Sequence, residues 1–205
     1  MRISLHTAPA VEPILVADFE AHARIGSGQV AALGQTGTFA IFEAAVRQKC
    51  EAITRRQLIT AVWDLILDGF PDGREPIEIP LPPLQSITSI TYIDPSGATV
   101  VLDSSLYRVI YESSPKCQPG IVIPVYGGSW PMALDDIAVV TIRFSCGYGT
   151  AGTAVPEGIR NWMLLNIGSL WENREEQTLA PGRLSQVDLS TMADGLLDDY
   201  RIYSW

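Results

Sequence analysis

"IAVVTIRFSCGYGTAGTAVP", residues 137 to 156, is the stretch on which the fold turns. Gly147, Gly149 and Gly152 have the spacing of a dinucleotide-binding loop, with a strand-like run before them and a helix-like run after. That spacing has physical meaning only where a strand, a tight turn and a helix N-terminus converge on a pyrophosphate. The strand feeding such a loop is buried on both faces of a parallel sheet and reads as a continuous apolar run. Here Ala138, Val140, Ile142 and Phe144 fall on one face and Ile137, Val139, Thr141, Arg143 and Ser145 on the other, which predicts a half-exposed antiparallel strand. The helix should open at the third glycine. Instead Pro156 and "EGIRNW" mark its first turn, after Thr153, Ala154 and Val155. An acidic residue ending a second strand should follow after about 20 residues to hold the ribose. That distance reaches Glu172, inside a helical segment. The stretch reads as a turn from an antiparallel sheet into a helix; a small enzyme or ligand-binding module using Gly147 to Gly152 for a nucleotide is the alternative.

Upstream of this strand the same period of two runs from about Arg56: "QLITAVWDLILDGF", "IEIP", "SITSITYI", "ATVVLD", "YRVIY" and "GIVIPVYGGSWP". "DPSG", residues 94 to 97, suits a tight turn that pairs "SITSITYI" with "ATVVLD". "IPLPPLQ" carries Pro80, Pro82 and Pro83, which cannot lie inside a sheet. The expectation is a β-meander over residues 56 to 150.

Helical periodicity lies on both sides. A short helix is expected from Ala17 to Ile25, then a longer one that Ser27 could cap, with Phe39, Phe42, Val46, Cys50 and Ile53 in one apolar stripe. Gly34 and Gly37 weaken its first turns and mark a break or a close approach to another backbone. From Pro156 to about Glu176, Trp162, Met163, Leu164, Leu165, Ile167, Leu170 and Trp171 cover more than half of the helix circumference, so this helix needs two partners, from the same chain or a neighbour. A polar loop over residues 177 to 186 precedes "MADGLLDDYRIYSW", an ending aromatic enough to be docked on something. The expected fold is α+β: a helical bundle built from N- and C-terminal helices (residues 1–55 and 151–205, the latter with a docking tail), with an inserted antiparallel β-meander (56–150).

The composition is that of a folded chain, with 47% apolar and 18% charged residues among 205. A net charge of −9 argues against gripping nucleic acid, which needs Lys and Arg on phosphates. It suits a conduit that DNA slides through, because a basic wall would hold the strand. Cys50, Cys117 and Cys146 are odd in number and widely spaced, against a disulfide framework or a zinc site. The first residues make a poor signal peptide and no run of 18 apolar residues occurs, so a protein made in a reducing cytoplasm, without a membrane span, is expected.

Catalytic constellations are not legible. His6 is expected in a frayed N-terminus and His22 on a solvated helix face; neither belongs to an H-E-x-x-H pattern. Cys50 reads as packing, and Cys117 and Cys146 have no His at a recognisable spacing. The adjacent pairs Asp135-Asp136 and Asp198-Asp199 point apart and read as solvated surface. Trp63 and Trp162 are expected in cores, whereas Trp130, Trp171 and Trp205 lie near segment ends where interface anchors occur. No catalytic, cofactor or metal residue is assigned.

In order along the chain, "LITAVWDLILDGFP", "IPLPPLQSITSITYIDPSGATVVLDSSLYRV", "YGGSWP", "VTIRFSCGYG" and "VPEGIRNWMLLNIGSLWENRE" resemble the head-tail connector (adaptor, head-completion) proteins of long-tailed bacteriophages and phage-derived gene transfer agents. The resemblance runs from about Cys50 to Glu176. It implies a structural virion protein of the particle neck, made in the bacterial host cytoplasm. Such an adaptor forms a homo-oligomeric ring, twelvefold, beneath the portal after DNA packaging. The portal protein and a stopper or tail-completion protein are its implied partners, DNA passes through its channel without specific binding, and no cofactor or enzyme activity is implied. Trp162, Trp171, Leu197, Tyr200, Tyr203 and Trp205 are the candidate portal or neighbour contacts. The "LGQTG" stretch departs from the family pattern and puts the continuity of the first long helix in question.

Overall fold

The computed structural model describes residues 1–172 and 195–203. It divides into two compact units, one of Met1–Ala10 with Arg55–Thr150, the other of Val11–Thr54 with the chain from Ala151 onward.

The first unit contains eight strands: β1 (Arg2–Thr7), β2 (Ala61–Leu67), β3 (Ile77–Ile79), β4 (Leu84–Ile93), β5 (Thr99–Val101), β6 (Tyr107–Ile110), β7 (Gly120–Pro124) and β8 (Val140–Cys146). They form two antiparallel sheets, in the orders β1-β2-β8-β4-β5 and β3-β7-β6. The predicted alternation in β8 is observed, with Val140, Ile142, Phe144 and Cys146 buried and Thr141, Arg143 and Ser145 partly exposed. Flanked by β2 and β4, β8 holds the centre of its sheet. Registered rows cross it: Ile3, Leu65, Ile142 and Ile90 make one, and Leu5, Trp63, Phe144 and Ile87 the next. The inner members of these rows join Ile77, Ile79 and Val122 of the smaller sheet in one apolar core. The β4–β5 hairpin forms as expected, with Ile93 opposite Thr99 and Gly97 left-handed at φ 85°. Residues 80 to 83, with a cis bond between Pro82 and Pro83, link β3 to β4.

The second unit is built on α1 (Val16–His22), α2 (Gln29–Ala32), α3 (Thr36–Thr54) and α4 (Glu157–Glu172). The predicted helix is broken: Gly34 is left-handed at φ 67° between α2 and α3. Glu20 accepts hydrogen bonds from the Gly28 and Val30 amides at 2.7 and 2.8 Å and so caps the four-residue α2 from another helix. α4 packs on both α3 and α1, so the two partners its wide apolar face requires come from its own chain. Ile159, Trp162, Met163 and Ile167 are its buried residues.

These observations overturn two expectations. The fold is not a helical bundle of N- and C-terminal helices, because the N-terminus is strand β1, α1 and α2 span only seven and four residues, and eight strands make two sheets. Nor is the sheet region a meander, since β8 sits between β2 and β4 and a separate sheet is split off. "RISLHT" has strand periodicity, with Ile3 and Leu5 one pleat apart, but lies so close to a terminus that it reads as frayed. His6 accordingly lies within a strand.

Candidate functional site

The glycine turn is a packed joint. Gly147 adopts φ 125°, a conformation open to glycine, and a Cβ there would meet the Ile59 and Thr60 backbone at 2.6 to 2.7 Å. Its amide donates to the Pro83 carbonyl at 2.9 Å, the Tyr148 amide to Leu58 at 3.0 Å, and Gly149 accepts from the Thr60 amide at 2.9 Å. The side-chain amide of Gln85 donates to the Gly147 carbonyl at 2.8 Å. A phosphate cradle needs several free amides aimed at one point; here those of Gly147 and Tyr148 are bonded to protein carbonyls. α4 starts at Glu157, five residues past Gly152, and Glu157 lies in its first turn, where a carboxylate opposes a bound anion. Gly152 is pressed against the Pro13 carbonyl, which explains the third glycine.

Buried and half-buried polar groups in each unit are not legible in the sequence. Arg56 is 1% exposed and donates to the Cys117 carbonyl at 2.8 Å, while the Tyr148 hydroxyl donates to Pro115 at 2.8 Å, so both hold the loop before β7. Asp64 and Arg143 face each other in register across β2 and β8, paired through two hydrogen bonds of 2.8 and 2.9 Å. The guanidinium holds the Asp64 carboxyl below its ordinary range. In the second unit Glu43 is buried and accepts from the Ile14 amide at 3.0 Å; burial raises its pKa to about 7. Arg47 joins the same segment to α3, donating to Glu12 at 2.6 Å and to Glu51 at 2.9 Å. An acid inside an apolar helical stripe is the one signal in the sequence that points to Glu43; Arg56, beside Arg55, reads as solvated.

The histidines and cysteines do not converge. His22 is exposed on α1, all three cysteines are buried, and burial pushes the Cys50 thiol up to about 12. No group of three or more His, Cys, Asp or Glu with metal-holding geometry occurs among the described residues. No described helix is long and apolar enough to cross a membrane.

The six candidate contact residues fall in different environments. Trp162 is fully buried, with Lys49 Nζ 6.0 Å from its ring centroid. Trp171 is partly exposed beside Phe19, ring centroids 5.1 Å apart, and lines a groove of about 370 Å³ between α1 and α4 with Phe19, His22, Leu165 and Gly168. Leu197 is fully buried in the second unit. Tyr200 packs beside Gly158, where an added Cβ would lie 3.2 Å from its ring, and the Ile202 amide donates to Thr54 at 3.2 Å. The ending is therefore fastened to its own unit through Ile202. Tyr203, beyond that fastening, is 67% exposed. Trp205 lies outside the described residues.

No protein-family model and no curated protein matches the sequence. Solved structures do. The chain is similar over its full length to a chain in the neck of an empty gene transfer agent particle computed with C6 symmetry, at TM-score 0.76 and 20% identity, covering 97% of that chain. A chain in the virion of a native gene transfer agent particle gives 0.74 and 21%, and one in the neck of a native particle computed with C12 symmetry 0.73 and 20%, again with 100% of this chain and 97% of the other covered. The fold, with its sheet unit and its helical unit, is shared with these particle chains over nearly their whole length.

Proposed function

We infer that this protein is a structural component of the neck of a phage-like particle, an adaptor ring that joins the portal of a DNA-filled head to the stopper and tail and surrounds the DNA exit. The observation that carries the reading is the full-length fold match to two chains of gene transfer agent necks and one of a gene transfer agent virion, covering both units of this protein and nearly all of theirs. Two of those necks were computed with sixfold and twelvefold symmetry, which supports a ring of like copies. A net charge of −9 fits a wall past which DNA must slide, since few cations are available to hold phosphates.

The reading asks for assembly surfaces and for no chemical step. Tyr203, with the exposed parts of Trp171 and Tyr200, supplies aromatic area to a portal or neighbouring copy, and Trp205 belongs to the same ending. Trp162 and Leu197 act from the core, by setting α4 and the last turn in place. Quantitative mass spectrometry of purified DNA-filled particles tests the reading. About one copy of this chain per portal subunit is expected; absence from intact particles would overturn it.

A further inference from the structure

The five-stranded sheet has two open edges. Among the described residues β1 pairs with β2 alone and β5 with β4 alone. An edge strand left open is a template for another chain, and folded proteins blunt such edges or use them. β1 is exposed along its whole length, yet it carries Ile3 and Leu5 on the face that buries Leu65, Ile142 and Phe144 further in. The core face thus runs out onto an uncovered strand. Met1, 70% exposed, extends it into an apolar groove of about 380 Å³ with Leu67, Phe70, Pro71, Pro76 and Ile77. At the far edge Val100 pairs with Tyr92, which is opposite Val140, so it stands on the same face and is partly exposed.

The two edges differ in charge. β1 contains Arg2 and no carboxylate, in a chain of net charge −9. β5 is flanked by Asp94 and Asp103, and no Lys or Arg occurs between residues 94 and 107. A closed ring needs two different, mutually complementary patches on every copy, because each copy touches one neighbour with each.

Resting on the adaptor-ring reading, we propose that the sheet continues from copy to copy: β1 of one subunit adds to the β5 edge of the next. The occupant of the β1 edge is a second copy of this chain. Four antiparallel steps separate β1 from β5, so both run the same way, and rotation about an axis near the strand direction keeps that sense. The new pairing is parallel, with Ile3 or Leu5 beside Val100 on the common face and Arg2 brought toward the neighbour's acidic flank. Backbone hydrogen bonds supply the join and the apolar stripe is covered.

Disulfide trapping in purified particles tests this. The native cysteines are buried, so new surface thiols report alone. The double variants Ile3→Cys/Val100→Cys and Leu5→Cys/Val100→Cys place thiols in the two registers that keep the faces matched, at Cα separations a disulfide can span. Mild oxidation is expected to give, in one of them, a ladder of covalent multimers past the dimer, and none in the single variants. If a double variant fails to enter particles, coexpression of the two single variants replaces it, and cross-linked dimers are expected. Portal-matched copy number with no cross-link in either register would overturn the sheet continuity and leave the adaptor reading standing. Absence of the native chain from particles would overturn the adaptor reading, and this proposal with it.

Discussion

Replacing Gly147 by alanine separates a structural joint from a ligand loop. At φ 125° an L side chain is strained by about 1–3 kcal/mol. The added Cβ would also lie 2.6 to 2.7 Å from the Ile59 and Thr60 backbone, where no side-chain rearrangement can relieve it. The segments must move apart, which puts at risk the bonds from Gly147 to Pro83, Tyr148 to Leu58 and Thr60 to Gly149. At about 1 kcal/mol each, these bring the expected cost of Gly147→Ala to about 5 kcal/mol. In a chain of this size that lowers Tm by about 10 to 20 °C. Gly37→Ala is the matched control: it lies in α3 with open space around its Cβ, and should gain about 1 kcal/mol. Thermal and urea unfolding followed by circular dichroism measure both. A Gly147→Ala protein melting within about 2 °C of the native chain would refute the reasoning. A nucleotide-dependent rise in Tm of the native chain that this substitution abolishes would return the loop to the ligand-binding reading.

Three further outcomes follow from the buried and paired groups. Glu43 has a folded pKa of about 7 against an ordinary value of 4.5, so the folded state holds the extra proton between these values; its contribution is full below about pH 4.5 and is lost as pH rises to 7, on the order of 3 kcal/mol. Glu43→Gln, which can still accept from Ile14, should flatten that slope in urea titrations from pH 4.5 to 8, and an unchanged slope would sink the assignment. Leu197→Ala should cost about 2–4 kcal/mol in thermal unfolding because the side chain is fully buried, whereas Tyr203→Ala should leave Tm nearly unchanged and reduce incorporation into particles. Asp64→Asn should cost no more than about 1 kcal/mol, shrinking further in 1 M salt, because its partner Arg143 is partly solvated; a loss that ignores salt would contradict the ion-pair account.

The parts of the fold that the sequence makes legible are those fixed by local physics. The alternation in β8, the hairpin at residues 94 to 97 and the stripe of α3 follow from spacing and turn chemistry, with no distant partner needed. The order of strands does not, because β8 enters between β2 and β4 through pairings remote in sequence, and period-two runs carry no record of their neighbours. β1 was missed because six residues near a terminus hold too little pattern to outweigh fraying. At the candidate assembly surfaces, aromatic identity marks importance without telling core from surface: Trp162 is wholly inside and Tyr203 mostly outside, and both are simply apolar letters in helical or terminal context. Glu43 and Arg56 are charged letters that burial turns into internal fasteners.

The strand order also sets a timetable. A ribosome delivers β1 first, yet its partner Ile66 comes only after the whole of α3, and Ile66 must in turn wait for Thr141 of β8. The larger sheet cannot close until its central strand has been synthesised, and α4 is made later still. Until residue 146 arrives, β2 lacks the strand that covers its inner edge, so Leu65, which is fully buried in the finished sheet, stays open to misassociation for as long as β8 is unmade.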